Sequence, residues 1–345
     1  MRVLFVGLGS IGQRHLRNLK KILGDSVEIL AYRVRRSVPM LNDQLQVVEG
    51  GSIKDQYDIL EFDDLDKALA EKPEIVFVTN PCSLHIEVAR KAVEAGCHLF
   101  IEKPLAAGEE GVEELIELVE QKRLVAFVAY QLRFHPGLQQ VSAWLEEGRI
   151  GQPIFANLIL GEYLPGFHPY EDYRLGCSAA KDLGGGVILS QIHELDYALW
   201  FFGKPSRIFA MGGKLSDLEI ETEDTALMLM ECRCNGKTLP VSLTLDFLRS
   251  PPHRTCTIVG DQGKIFWDYH GKSTALHNRI TGKTETMDFS DLERNQLFLD
   301  EMEHFLSAVK GEVPPVVNLR HGYESLQMAL AARTSIETGE VQTLK

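Results

Sequence analysis

The sequence predicts an α/β protein with a doubly wound parallel sheet at the N-terminus. An α+β domain with a large, mostly antiparallel open sheet then follows. Three observations carry this. Short apolar runs alternate with amphipathic stretches over the first 123 residues, as repeated βαβ units require. Three glycines, Gly7, Gly9 and Gly12, stand at G-x-G-x-x-G spacing between the first run and the first such stretch. From about residue 124 the texture changes to long alternating stretches broken by turn signals, the mark of antiparallel strands.

The elements follow in order. Residues 2–6 read as a short buried strand, and Ile11, Leu16, Leu19, Ile22 and Leu23 mark a helix. Residues 27–31 form the second strand; 74–80 form another, ending in Asn80-Pro81. Residues 84–95 are helical, with Gly96 suited to the C-terminal cap. The strand HLFIEKP, 98–104, stops at a proline, and 109–123 is an amphipathic helix. One more strand begins at 124, with a helix at 136–148. The stretches PIFANLILGEYL, RIFAMGGKL, DTALMLMECRC, LPVSLTLDFL and RTCTIVGDQGKIFWDY alternate as strands, with turns at Asn235-Gly236 and Asp261-Gln262-Gly263. Helices near 296–309 and 320–338 end the chain. The expected division is 1–123, binding a dinucleotide, and 124–345, binding substrate and joining subunits.

Bulk properties exclude several classes. Across 345 residues, 44% are hydrophobic and 25% charged, an ordinary globular balance. A formal net charge of −13 argues against a non-specific grip on nucleic acid or anionic lipid. The chain enters a strand at once, without a signal-peptide pattern. No apolar run approaches the roughly 20 residues that cross a bilayer. Cys82, Cys97, Cys177, Cys232, Cys234 and Cys256 show no disulfide framework. Cys232 and Cys234 would share a strand face, but no second pair stands near to complete a metal site. Buried reduced thiols, no metal, no nucleic-acid or membrane partner and a cytoplasmic location are expected.

The glycine run has a specific physics. Gly7 allows the tight turn, Gly9 lets the backbone approach a pyrophosphate, and Gly12 lets helix and strand pack closely. The first-turn N–H groups, Ser10 and Ile11 included, then face phosphate at the positive end of the helix dipole. The bland alternative is a glycine turn without a ligand. Strand before and helix after at the start of a βαβ series favour the Rossmann reading. NAD-binding domains end the second strand on an acid that holds the ribose 2′-hydroxyl. Here Tyr32 stands in that place, followed by Arg33, Arg35 and Arg36. Arginine pairs with a 2′-phosphate, so NADP is expected over NAD, with NAD the alternative. A solvated basic loop is the other reading of the arginines.

With GLGSIGQRHL, VTNPCSLH and FIEKPLA in that order, the chain resembles the Gfo/Idh/MocA oxidoreductases. Their Glu-Lys-Pro hallmark is Glu102-Lys103-Pro104. The stretches AYQLRFHPG and GGGVILSQIHELDYALWFFG look like the family's later signatures, so the likeness spans nearly the whole chain. It is greatest to members associated with surface-sugar and sialic-acid-type biosynthesis. The resemblance implies a Rossmann domain, then an α/β domain whose open sheet often serves in dimer contacts. It also implies hydride transfer between a pyridine nucleotide and a hydroxyl-bearing carbon of a sugar, cyclitol or sugar nucleotide. A homodimer or homotetramer is expected.

Such chemistry needs positive charge near the reacting oxygen and a group that exchanges its proton. Lys103, at the C-terminal end of a parallel strand, matches the first need and also bonds a nicotinamide ribose hydroxyl in this reading, with Glu102 taking another. His193 matches the family's second-domain histidine. The resemblance also places Asn80, Pro81 and His85 along the cofactor, although His85 reads equally as a helix-start residue. Many members carry an acid one turn before that histidine; here Ser190 stands in its place. Either Lys103 and His193 suffice, or the chemistry differs, or activity is lost. Asp196 reads as orienting His193 or as facing solvent. Arg133 reads as a substrate-anion contact or, preferably, a brace. Tyr163, Tyr173, Arg174 and Lys181 precede the triple glycine in a polar loop that suits a sugar or its diphosphate. Two alternatives to a dehydrogenase remain. One is a non-catalytic NADP-binding redox sensor or scaffold. The other is an enzyme with retained NAD that processes glycosides by internal redox.

Overall fold

The computed structural model describes residues 1–34 and 38–344. Arg35 and Arg36 therefore lie outside the described residues. The chain divides into two compact units.

The first unit comprises Met1–Tyr130, His168–Asp172 and Phe298–Tyr323. Its strands are β1 (Arg2–Val6), β2 (Glu28–Tyr32), β3 (Leu60–Phe62), β4 (Ile75–Val78), β5 (His98–Glu102) and β6 (Ala126–Ala129). All neighbours pair in parallel, in the order β3-β2-β1-β4-β5-β6. The connecting helices are α1 (Ser10–Leu23), α2 (Ile53–Tyr57), α3 (Leu65–Ala70), α4 (His85–Glu94) and α5 (Val112–Lys122). The doubly wound sheet is thus as the alternation predicts. The elements α2, β3 and α3 escape the sequence reading because none exceeds six residues, too short for a periodicity to show.

The expected boundary at 123/124 shifts. The strand β6 pairs with β5 and completes the first sheet. Its AFVA segment is buried at every position, as befits a strand covered on both faces. The chain also returns to this unit twice, which local texture cannot show.

Four phenylalanines cross this sheet in one row. Register pairs Phe5 with Phe77, Phe77 with Phe100, and Phe100 with Phe127. Their rings stack at centroid distances of 4.6, 4.7 and 5.5 Å. Phe305 lies edge-on to Phe77 and Phe100. All five are fully buried.

The second unit comprises Gln131–Phe167, Tyr173–Leu297 and Glu324–Lys345. It opens with α6 (Pro136–Glu146) and β7 (Pro153–Gly161), then α7 (Val187–Ser190) and α8 (His193–Phe202). The strands β8 (Arg207–Gly213), β9 (Thr225–Cys234), β10 (Lys237–Asp246), β11 (His253–Gly260) and β12 (Gly263–Asp268) follow. The short β13 (Ser273–Asn278) and β14 (Thr284–Asp288) extend the sheet. Helices α9 (Arg294–Val309) and α10 (Leu319–Thr338) and strand β15 (Gln342–Thr343) end the chain. The order is β14-β13-β12-β11-β7-β10-β9-β8-β15. Every pair is antiparallel except β7 with β10. Of the six thiols, Cys97, Cys232 and Cys256 are buried, whereas Cys177 is exposed and Cys82 and Cys234 are half-buried. The expectation of buried thiols therefore fails for three.

His135 caps α6, its Nδ1 accepting the Gly137 N–H at 3.0 Å. It lies edge-on to Trp267. Burial, and then the charge of Arg254, push its pKa down to about 4. In the unfolded chain its pKa is about 6.5. The unfolded state therefore takes up the proton first as pH falls, and folding loses up to about 3 kcal/mol between pH 6.5 and 4. His135→Asn keeps a capping acceptor but cannot titrate. The wild type's stability advantage over this variant at pH 7 should shrink by about that amount at pH 4. Urea midpoints at the two pH values measure it; parallel losses in both proteins would exclude His135 as the cause.

Candidate active site

The loop after β1 has the geometry its glycines suggest. Gly7 has φ +95°, and its N–H donates to the Tyr32 carbonyl at 3.3 Å. A Cβ at Gly7 would lie 2.9 Å from the Thr79 carbonyl oxygen; one at Gly12 would lie 2.5 Å from the Gly7 oxygen. Thr79 Oγ1 donates to that same oxygen at 2.6 Å. Around Gly9 the opposite holds, with nothing within 4 Å of an added Cβ. Gly9 caps α1 without a side-chain bond, and the first turn carries no acid. Amides at the positive end of a 14-residue helix thus meet open space, which fits a pyrophosphate. Ser10 and Ile11 are half-buried in that turn.

At the ends of β4 and β5 the expected residues take different duties. Asn80 and Pro81 are half-buried, and the buried Asn80 Oδ1 has no hydrogen-bond partner among the described residues. That acceptor suits an amide donor such as a carboxamide. His85 makes internal contacts. It is 1% exposed, with Nδ1 3.1 Å from the Pro104 backbone oxygen and Nε2 2.9 Å from the Asn80 backbone oxygen. It staples the turn after β4 to the turn after β5. Burial, the leading effect, holds its pKa below the usual histidine value.

Glu102 is also a strut. Oε1 accepts from His15 Nε2 at 2.6 Å, and Oε2 accepts the Lys103 N–H at 3.1 Å. The carboxylate is buried and holds an internal pair. His15, on α1, is fully buried and edge-on to Phe100 at 4.8 Å. Its signal was the polar residue within the inward stripe of α1. Lys103 is half-exposed, immediately beyond the end of β5.

Tyr32 ends β2, half-buried. Arg33 is buried and does not project as a free basic residue. Its N–H donates to the Phe62 carbonyl at 3.1 Å, and Nη1 bonds Glu61 Oε1 at 2.6 Å.

In the second unit His193 opens α8 and is buried. The next acids are clamped. Glu194 receives Arg254 Nε and Nη2 at 2.6 and 3.0 Å. Asp196, fully buried, receives Arg133 Nε and Nη2 at 2.7 and 2.8 Å. Arg133 also lies 4.8 Å from the Trp200 ring centroid. Arg133 thus braces α8 through this pair, and Asp196 does not face solvent. Glu194 and Arg254 were missed. Their signal was an acid inside an apolar helix, which needs a cation. Ser190 is half-buried and donates to Ser178 Oγ at 3.1 Å. In the preceding loop Tyr163 is exposed, and the Tyr173 hydroxyl accepts the Glu219 N–H at 3.2 Å. Arg174 pairs with Glu219 at 3.1 Å, and Lys181 is exposed.

A six-stranded parallel sheet with an open, uncapped helix N-terminus after its first strand defines a dinucleotide-binding protein of Rossmann type. The comparisons agree and go further. Residues 1–130 match the Gfo/Idh/MocA model, described as an oxidoreductase family with an NAD-binding Rossmann fold. Residues 138–266 match that family's C-terminal domain. An uncharacterized oxidoreductase of Synechocystis sp., sll0816, is 32% identical over 307 residues, covering 80% of this chain and 81% of its own. A myo-inositol 2-dehydrogenase of Thermotoga maritima is 27% identical over 348 residues, covering 98% of this chain and 96% of its own. Among solved structures, the WlbA dehydrogenase of Bordetella pertussis, in complex with NADH and UDP-GlcNAcA, superposes with a TM-score of 0.80 at 20% identity. That match covers 100% of this chain and 99% of the other and shows a shared fold. The chain belongs to the Gfo/Idh/MocA oxidoreductase family and is an NAD(P)-dependent oxidoreductase.

The glycine geometry separates two substitutions. Gly9→Ala enters open space at an extended φ of −68°. It should fold with an unchanged melting temperature yet weaken NAD(P)H binding at least tenfold, by blocking the approach of the pyrophosphate. Gly12→Ala meets the Gly7 carbonyl and should cost about 1–3 kcal/mol of stability. Calorimetry of binding and of melting checks both.

Proposed function

We propose that this chain moves a hydride between a nicotinamide cofactor and a hydroxyl-bearing carbon of a sugar, cyclitol or sugar nucleotide. The observation that carries the reading is Lys103. It stands half-exposed at the C-terminal end of a central parallel strand, where such sheets bind ligands. The activity of the inositol dehydrogenase relative and the sugar nucleotide bound in the WlbA structure support the substrate class. The nicotinamide supplies the hydride acceptor or donor. Lys103 places an ammonium for an oxygen that gains negative charge, and His193 exchanges the hydroxyl proton. Tyr163, Tyr173, Arg174 and Lys181 offer polar and aromatic contacts for the rest of the substrate. The reading includes a cytoplasmic location; among the described residues no helix is long and apolar enough to cross a membrane. NADP(H) is the cofactor that Arg33 argues for and NAD(H) the alternative, a choice that turns on the partner of Arg33.

Lys103→Ala and His193→Ala should each lower turnover about 100-fold while leaving nucleotide binding in place. The His193 variant should also flatten the pH profile near neutrality. Ser190→Asp tests the missing acid: an unchanged or raised rate means the serine replaced a helper; a loss means the substrate needs its hydroxyl or the space. A second reading, a redox sensor, rests on the serine at that position. A wild type that binds nucleotide but gives no absorbance change at 340 nm across a broad panel of sugars, cyclitols and sugar nucleotides would select it.

The reading includes assembly through the second sheet. Its outer row runs Phe209–Leu229–Ser242–Asn157–Thr257–Phe266 by register. Leu229, Leu227 and Met211 are 59%, 51% and 65% exposed, a large apolar area for a monomer to leave in water. Light scattering at micromolar concentration should give a dimer or tetramer, and Leu229→Lys should at least halve the mass. A monomeric wild type would end this part of the proposal.

A further inference from the structure

The ribose-binding acid missing from the end of β2 has a counterpart one strand away. Ala31 on β2 pairs in register with Glu61 on β3, and Tyr32 pairs with Phe62. Arg33 follows Tyr32, and its guanidinium meets Glu61 at 2.6 Å, with side chains 8% and 14% exposed. The Gly7 N–H donates to the Tyr32 carbonyl, so this pair stands one residue from the glycine loop. We propose that Glu61 sets the choice between NAD(H) and NADP(H) in this chain. Its carboxylate engages Arg33, cancels its charge and repels a 2′-phosphate, so that NAD(H) is bound at least as well as NADP(H). This rests on the nucleotide-binding reading above and reverses the preference that Arg33 alone implies.

The physical balance is local. A guanidinium available to a phosphate forms strong charge-assisted bonds. A guanidinium held by a nearby carboxylate has to give up that bond first, and the displaced carboxylate stays beside the incoming dianion. A 2′-hydroxyl carries no such cost and can donate to a carboxylate, as it does to the acid of other Rossmann domains. Position one strand over changes which residue supplies the acid, not what the acid does.

The test is binding of NADH and NADPH, followed by calorimetry, to the wild type, Glu61→Gln and the double variant Arg33→Met/Glu61→Gln. In the wild type NADH should bind at least as tightly as NADPH. Glu61→Gln should tighten NADPH relative to NADH tenfold or more, and adding Arg33→Met should remove that gain. A wild type preferring NADPH tenfold overturns the proposal without any variant. So does a Glu61→Gln protein whose ratio stays within twofold of wild type, or a gain that survives loss of Arg33. Each of these leaves the oxidoreductase reading standing. A wild type that binds neither nucleotide overturns that reading, and this one with it.

Discussion

The row of stacked phenylalanines across the first sheet is the constraint on which the site depends. Phe5, Phe77, Phe100 and Phe127 occupy one register position on four parallel strands. A slip of one residue in any strand would turn its ring to the opposite face, out of a stack with 4.6–5.5 Å spacings. The row therefore fixes where each strand ends. Gly7 lies two residues beyond Phe5, Thr79 two beyond Phe77, and Glu102 two beyond Phe100. The contact of Thr79 with the Gly7 carbonyl follows from that alignment. His15 extends the constraint to α1. Its ring meets Phe100 edge-on while its Nε2 bonds Glu102. The helix that begins at the glycine loop and the strand that presents Lys103 are thus tied through one imidazole.

The second unit solves a similar problem with charge. The helix α8 starts at His193, and its next two acids are each held by an arginine from another element, Arg254 of β11 and Arg133 after β6. Two buried pairs are a poor investment in stability, because desolvation offsets most of their attraction. They do fix rotation: each bidentate fork admits one orientation of its carboxylate. A helix clamped at Glu194 and Asp196 holds its first residue to one direction. Accuracy at His193 is the return on otherwise costly burial.

Much of the fold was legible because it is local. Strand after strand, the glycine spacing and the helix caps declare themselves within a few residues, and β1, β4, β5 and β6 each read Phe followed by Val or Ile. The site was legible by residue type, less so by duty. Glu102, His85 and Arg133 also hold internal partners that a string of letters does not show. Their partners lie 87, 19 and 63 residues away, and no periodicity links positions so separated. Arg33 shows the same limit over a shorter span. It reads as a basic residue at a strand end until β3, three residues long, brings Glu61 beside it. The unit boundary was misplaced for a different reason. An all-apolar strand such as β6 is silent about which sheet it joins, because alternation is the only local signal of sheet membership.

The fate of the carboxylates bears on the chemistry. Glu102, Glu194, Asp196 and Glu61 each accept a cationic or imidazole donor within 2.6–2.7 Å. Each such bond fixes the orientation of its carboxylate. Ser190, where relatives are expected to carry an acid, is joined to Ser178. These acids support the structure around them. The proposed reaction assigns charge to an ammonium and proton exchange to an imidazole. A histidine titrates near neutrality by nature; a lysine stabilises a developing negative charge without giving up its proton. The replacement of the acid by Ser190 is intelligible on that division. The proposed reaction needs one group for charge and one for the proton, and Lys103 and His193 are of those two kinds.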